Sequence, residues 1–162
     1  MYIKQRLMTA IYLRYEDQWL LLKRQGSRVV EDGLYTGTAG GHFEENELGA
    51  PFACVLRELN EETGLTESDL KGLKLRYICM RKKEDEIRVN HYFFAELNIL
   101  PEEICSNEGE LKWIPEKELS HLPMPYSARQ AIDHYLALGR RTENLYVGVK
   151  TEEGMVFLPI VS

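Results

Sequence analysis

Cysteine is scarce in this 162-residue chain: there are 3, Cys54, Cys79 and Cys105, odd in number and set far apart. Without paired metal-ligand spacing they exclude a disulfide framework or a thiolate zinc site, and reduced thiols packed as small apolar residues are expected. Long apolar runs are missing too. No stretch approaches the roughly 18 residues of a membrane span, and Met1-Tyr2-Ile3-Lys4-Gln5-Arg6 does not lead into a signal-type segment, so a cytoplasmic protein with no membrane partner is expected. Positive charge is in deficit, 20 Lys and Arg against 26 Asp and Glu for a net charge of −6, which argues against a basic surface for long nucleic acid. Repeats, low-complexity tracts and flexible linkers are absent, and 44% apolar content suits one core, so a single domain over 1–162 is expected.

What the chain does have is acid, concentrated in two neighbouring segments. Gly40-Gly41-His42-Phe43-Glu44-Glu45-Asn46-Glu47 is followed by Arg57-Glu58-Leu59-Asn60-Glu61-Glu62-Thr63-Gly64-Leu65. The second reads as a helix with marked ends. Pro51 suits the first turn, where its missing N–H costs nothing, and Gly64 suits the left-handed residue that closes a helix. At 100° per residue Phe52, Val55, Leu56, Leu59 and Thr63 share one flank, and Glu58, Glu61 and Glu62 lie roughly 110–120° away. Each like-charged pair costs a helix roughly 0.2–0.5 kcal/mol, and Arg57 can relieve Glu61 at i,i+4 but cannot neutralise all three. A hard cation that takes oxygen ligands, Mg²⁺ or Mn²⁺, would make the arrangement favourable. A solvated acidic face is the bland alternative, and the glycine-bearing acidic loop just before the helix weighs against it.

The pattern Gly41, five residues, Glu47, then Arg57-Glu58-Leu59, any residue, Glu61-Glu62, any residue, Gly64-Leu65 resembles the box of the Nudix hydrolase family, of which MutT is a member. All nine specified residue types are present. Nine residues separate Glu47 from Arg57 where the family usually has seven, read here as a two-residue insertion around Leu48-Gly49-Ala50. The resemblance implies metal ligation by Glu58, Glu61 and Glu62 and by the Gly40 carbonyl, and structural roles for Gly41, Glu47, Arg57 and Gly64. It also implies hydrolysis of a nucleoside diphosphate linked to another moiety, water attacking phosphorus in line. Besides Glu61, an acid outside the box would orient the water, and Glu108 or Glu110, shortly before Trp113, are the candidates. Glu84-Asp85-Glu86 is a second acidic turn that could swing over the site instead, and it ranks lower because Arg81-Lys82-Lys83 beside it reads as an exposed hairpin tip.

Strands are expected over Leu7–Leu13, Trp19–Lys23, Leu73–Met80, Val89–Leu97 and Leu111–Ile114, with a break at Ile99–Pro101. A second helix runs from a Ser127 N-cap to about Gly139, and Leu145–Val149 with Met155–Ile160 form a hairpin. The order resembles the Nudix α/β/α sandwich, a mixed sheet between helices, with that hairpin added. Lys23, Arg24 and Arg28 can approach phosphates, and Tyr35, His42 and Tyr126 lie where a nucleobase could be held. The expected substrate is a (deoxy)nucleoside triphosphate of the 8-oxo-dGTP type, with ADP-ribose, a dinucleotide, or nucleotide sensing without catalysis as alternatives. A homodimer is an open option.

Overall fold

The computed structural model describes residues 3–25, 33–98, 100 and 103–162. Arg28 and most of the Ile99–Pro101 break lie outside them. Among the described residues nine strands form one mixed sheet: β1 (Lys4–Tyr15), β2 (Gln18–Arg24), β3 (Tyr35–Thr36), β4 (Ala39–His42), β5 (Leu70–Lys83), β6 (Glu86–Leu97), β7 (Gly109–Pro115), β8 (Leu145–Thr151) and β9 (Gly154–Ile160). Its path runs β3-β2-β1-β6-β5-β8-β9, with β4 on β1 and β7 on β2. Two helices flank it, α1 (Pro51–Thr63) and α2 (Tyr126–Ala137).

Successive side chains of a strand point to opposite faces, and the two cores follow that alternation. Tyr12, Trp19, Leu21, Tyr92 and Phe94 pack on one face against Ala128, Ala131, Ile132 and Tyr135 of α2. Ile11, Leu13, Leu20, Phe93 and Ala95 pack on the other against Val55 and Leu59 of α1. This is the expected α/β/α sandwich.

Three details differ from the sequence expectation. The glycine segment is a strand: Gly40 and Gly41 pair with Ala10 and Thr9 of β1. A Cβ at Gly40 would collide with the Thr9 carbonyl, so only glycine permits so close an approach there. Arg81-Lys82-Lys83 is not a loop tip but the end of β5, which pairs through to Lys83↔Glu86. Ser127 does not cap α2, which begins one residue earlier with Pro125 in the capping position. The expected C-terminal hairpin is present, β8 pairing with β9, and it extends the main sheet because β8 runs parallel to β5 from Tyr77↔Tyr146 to Met80↔Val149.

Candidate active site

The acidic site is built on α1. Pro51 opens the helix and Gly64, at φ +78°, closes it by donating its N–H to the Asn60 carbonyl. The two extra residues between Glu47 and Arg57 are absorbed before the helix starts, where Gly49 adopts φ +80° and the Ala50 N–H bonds the Glu47 carbonyl. Glu47 therefore still faces Arg57. The guanidinium grips its carboxylate with two bonds, Nε to Oε2 at 2.7 Å and Nη2 to Oε1 at 2.8 Å. Glu47 is 4% exposed and also accepts the Glu44 N–H, and these donors, Arg57 foremost, hold its carboxyl down at about 2. Through Nη1 the same arginine reaches Glu58 Oε1 and Glu61 Oε2, each at 3.0 Å, and through Nη2 the His42 carbonyl at 3.2 Å. One side chain thus ties β4, the 3₁₀ turn Glu45–Glu47 and α1 together.

Glu58 and Glu62 meet β4. The Glu58 carboxylate lies directly against Gly41, where any Cβ would collide with it. Burial raises the Glu58 carboxyl, with Arg57 opposing. Glu62 Oε2 accepts the Gly40 N–H at 2.9 Å, yet burial first, then the negative charges of Glu58 and Glu108, lift Glu62 to about 7, with Arg24 partly offsetting them. A carboxyl pushed that high at a cleft wall has too little positive charge around it. Cys54, buried and in contact with the Thr9 hydroxyl, is raised to about 11 by burial and is an inert thiol.

The loop before β7 docks on the end of α1. The Asn107 N–H bonds the Glu62 carbonyl at 3.2 Å and its side-chain amide bonds that of Glu61 at 3.1 Å. This brings the exposed Glu108 into the field of Glu62, whereas Glu110 is taken up by Gln25 at 3.3 Å and by Lys112 at 3.9 Å.

A cleft of about 250 Å³ opens beside Glu62, between β4, β1, the β5–β6 ends and the start of α2. Arg24 and His42 line it, with His42 kept below its ordinary value by burial and by Arg6 and Arg88. Lys23, Tyr35 and Tyr126 do not line it. Lys23 pairs across the sheet with Tyr35 and Glu110, and Tyr126 lies 5.5 Å beneath the Lys150 ammonium. Sequence reasoning missed Arg81, Arg88, Asn90 and Ser127, which do line the cleft. Arg24 Nε, Arg81 Nε and Ser127 Oγ are buried there without a hydrogen-bond partner among the described residues, so the wall offers unused polar groups. Arg81 and Arg88 stand opposite each other across β5 and β6, an unfavourable like-charge pair that an anionic or carbonyl-rich ligand would relieve.

The NUDIX domain family model matches residues 4–135. No curated protein matches the chain. Among solved structures, a mutator MutT protein from Bacillus halodurans is similar at 25% identity and a TM-score of 0.68, covering 95% of this chain and 97% of that one. The E. coli ORF135 protein (20% identity, TM-score 0.67, covering 87% and 95%) and an Ap4A hydrolase from C. elegans (16%, 0.61, covering 86% and 100%) share the fold.

Proposed function

Because this chain belongs to the NUDIX family and is a hydrolase, we propose that it cleaves a phosphoanhydride bond of a nucleotide with the help of Mg²⁺ or Mn²⁺, its substrate being a (deoxy)nucleoside triphosphate of the oxidised, 8-oxo-dGTP type. The observation that carries this reading is the Glu62 carboxyl, half-buried at the cleft wall on the Gly40 N–H and raised to about 7 beside Glu58 and Glu108. The donor set fits a hard divalent cation in kind: carboxylate oxygens on one helix face, with backbone beside them. Among the described residues no three acidic side chains are already gathered at ligating distance. Arg57 holds Glu58 and Glu61 in the structure, so metal loading would draw Glu58 and Glu62 together, with Glu61 released from Arg57 and the Gly40 carbonyl as a further donor.

A bound divalent cation supplies charge stabilisation at the bridging and leaving oxygens and acidifies a water molecule. The chain's own groups do the rest. Arg24, with its Nε unpartnered beside Glu62, receives a phosphate oxygen. Glu108, exposed beside Glu62, orients the attacking water and takes its proton, whereas Glu110 is engaged by Gln25 and Lys112. Arg81, Asn90 and Ser127 meet the nucleoside with unspent donors. At about 250 Å³ the cleft falls just below the roughly 300–1,000 Å³ of most ligand pockets, and this favours one nucleoside over a dinucleotide.

Product analysis with Mg²⁺ across dGTP, 8-oxo-dGTP, ADP-ribose and Ap4A tests the reading. The expected result is a nucleoside monophosphate with pyrophosphate, released fastest from the oxidised triphosphate. Saturable binding without release of any phosphate product would instead make the protein a sensor.

A further inference from the structure

A second cleft, of about 330 Å³, lies at the opposite end of α2 from the first. The 12 residues of α2 span about 18 Å, so the two openings are well separated. Its walls carry five cations, Arg14, Lys71, Lys74, Arg76 and Arg140, on a chain whose net charge is −6. Three carboxylates answer them: Glu96 pairs with Arg14 at 3.5 Å, Glu143 with Lys74, and Glu116 with Arg140.

Two cations make no direct ion pair among the described residues, although Lys71 stands across the sheet from Glu96. Lys71 is exposed at the rim. Arg76 is 7% exposed and bonds only backbone carbonyls, those of Gly139 at 2.7 Å, Thr142 at 2.9 Å and Asn144 at 3.3 Å. The Glu143 carboxylate, held below its ordinary value first by Lys74, also feels Arg76 but makes no direct pair with it, and a buried guanidinium so thinly compensated is costly. The carbonyls after α2 explain why Arg76 is held in place, but they do not explain the crowding around it. The guanidinium carbons of Arg14, Arg76 and Arg140 stand 5.6, 5.5 and 5.3 Å from the centre of the Tyr135 ring. Arg14 Nε is also buried with no hydrogen-bond partner among the described residues. Three guanidinium groups crowd one ring; Glu96 and Glu116 answer two of them, and Arg14 keeps an unspent donor, so the cluster holds fork-shaped positive charge that its own carboxylates do not use up.

We propose that this cleft is a second ligand site, binding a phosphate-bearing small anion between Arg14, Lys71, Arg76 and Arg140. The phosphate group comes either from free pyrophosphate or from a nucleoside monophosphate, and these are the two arms of the test. Calorimetric titration of the full chain in EDTA, with pyrophosphate and separately with AMP, should give saturable binding for at least one probe, and the tighter arm identifies the source. Lys71→Ala removes an exposed, unpaired cation without disturbing the core, and it should weaken binding about tenfold, as should Arg140→Gln. Glu62→Gln and Arg81→Gln, in the first cleft, should leave binding unchanged. The site is overturned if neither probe saturates. It is equally overturned if Arg81→Gln abolishes binding while Lys71→Ala and Arg140→Gln retain it.

Discussion

Glu47 just before α1 and Glu62 near its end have surroundings that push them in opposite directions. Glu47 is held at about 2 against an ordinary 4.5 by Arg57, so its contribution to stability is complete above pH 4.5 and is lost as pH falls towards 2. Glu47→Gln should cost about 3 kcal/mol at pH 7, because Arg57 is left without its closest partner. Its stability profile should be flatter than the wild type's between pH 4.5 and 2, as urea unfolding across that range would show. Glu62, raised to about 7, has the reverse sign: its ionisation opposes folding, so stability present below pH 4.5 is lost as pH rises through 7. Glu62→Gln should therefore raise the urea midpoint of the metal-free protein at pH 8 while lowering Mg²⁺-dependent turnover more than about a hundredfold. An unchanged turnover would remove Glu62 from the site. At this scale the α1 acids were legible, because helical spacing alone puts Glu58, Glu61 and Glu62 on one side. Arg81 and Ser127 were not: Arg81 follows Met80 in a basic run that reads as a solvated turn, and Ser127 stands where a capping serine would.

For the elements, the ends of α1 were readable from Pro51 and Gly64, and the strand positions from their apolar alternation. The status of Gly40-Gly41 was hidden, since glycine carries no strand signal and the pairing of β4 with β1 depends on contacts across the sheet. The two glycines should respond differently to a methyl group. At Gly41 the obstacle is the Glu58 carboxylate, the mobile end of a side chain. Gly41→Ala should then cost activity through displaced Glu58, with stability changed by less than about 1 kcal/mol. At Gly40 the obstacle is the backbone carbonyl of Thr9, so Gly40→Ala should destabilise by about 1–3 kcal/mol as β4 is forced from β1. Urea midpoints beside turnover for the two variants separate these outcomes.

Over the whole molecule, the C-terminal hairpin was legible as a hairpin but not as part of the sheet, because parallel pairing between segments some seventy residues apart leaves no local trace. Tyr146 stacks on Tyr77 at 5.8 Å, and Phe157 meets Tyr77 edge-on at 5.6 Å. A chain ending at Arg141 should expose the edge of β5 and one side of the Tyr77 core, losing cooperative thermal unfolding and aggregating. A truncated chain with an unchanged melting temperature would show the hairpin to be dispensable. Family membership accounts for the sandwich, and the raised Glu62 carboxyl beside Glu58 is what turns it into a candidate for metal-assisted hydrolysis. Anomalous diffraction from a Mn²⁺-soaked crystal tests that most directly. The expected result is an anomalous peak at roughly 2.2 Å from carboxylate oxygens of both Glu58 and Glu62, with Glu61 freed from Arg57. Density showing Glu58 and Glu61 still on Arg57, with no anomalous peak beside Glu62, would contradict it.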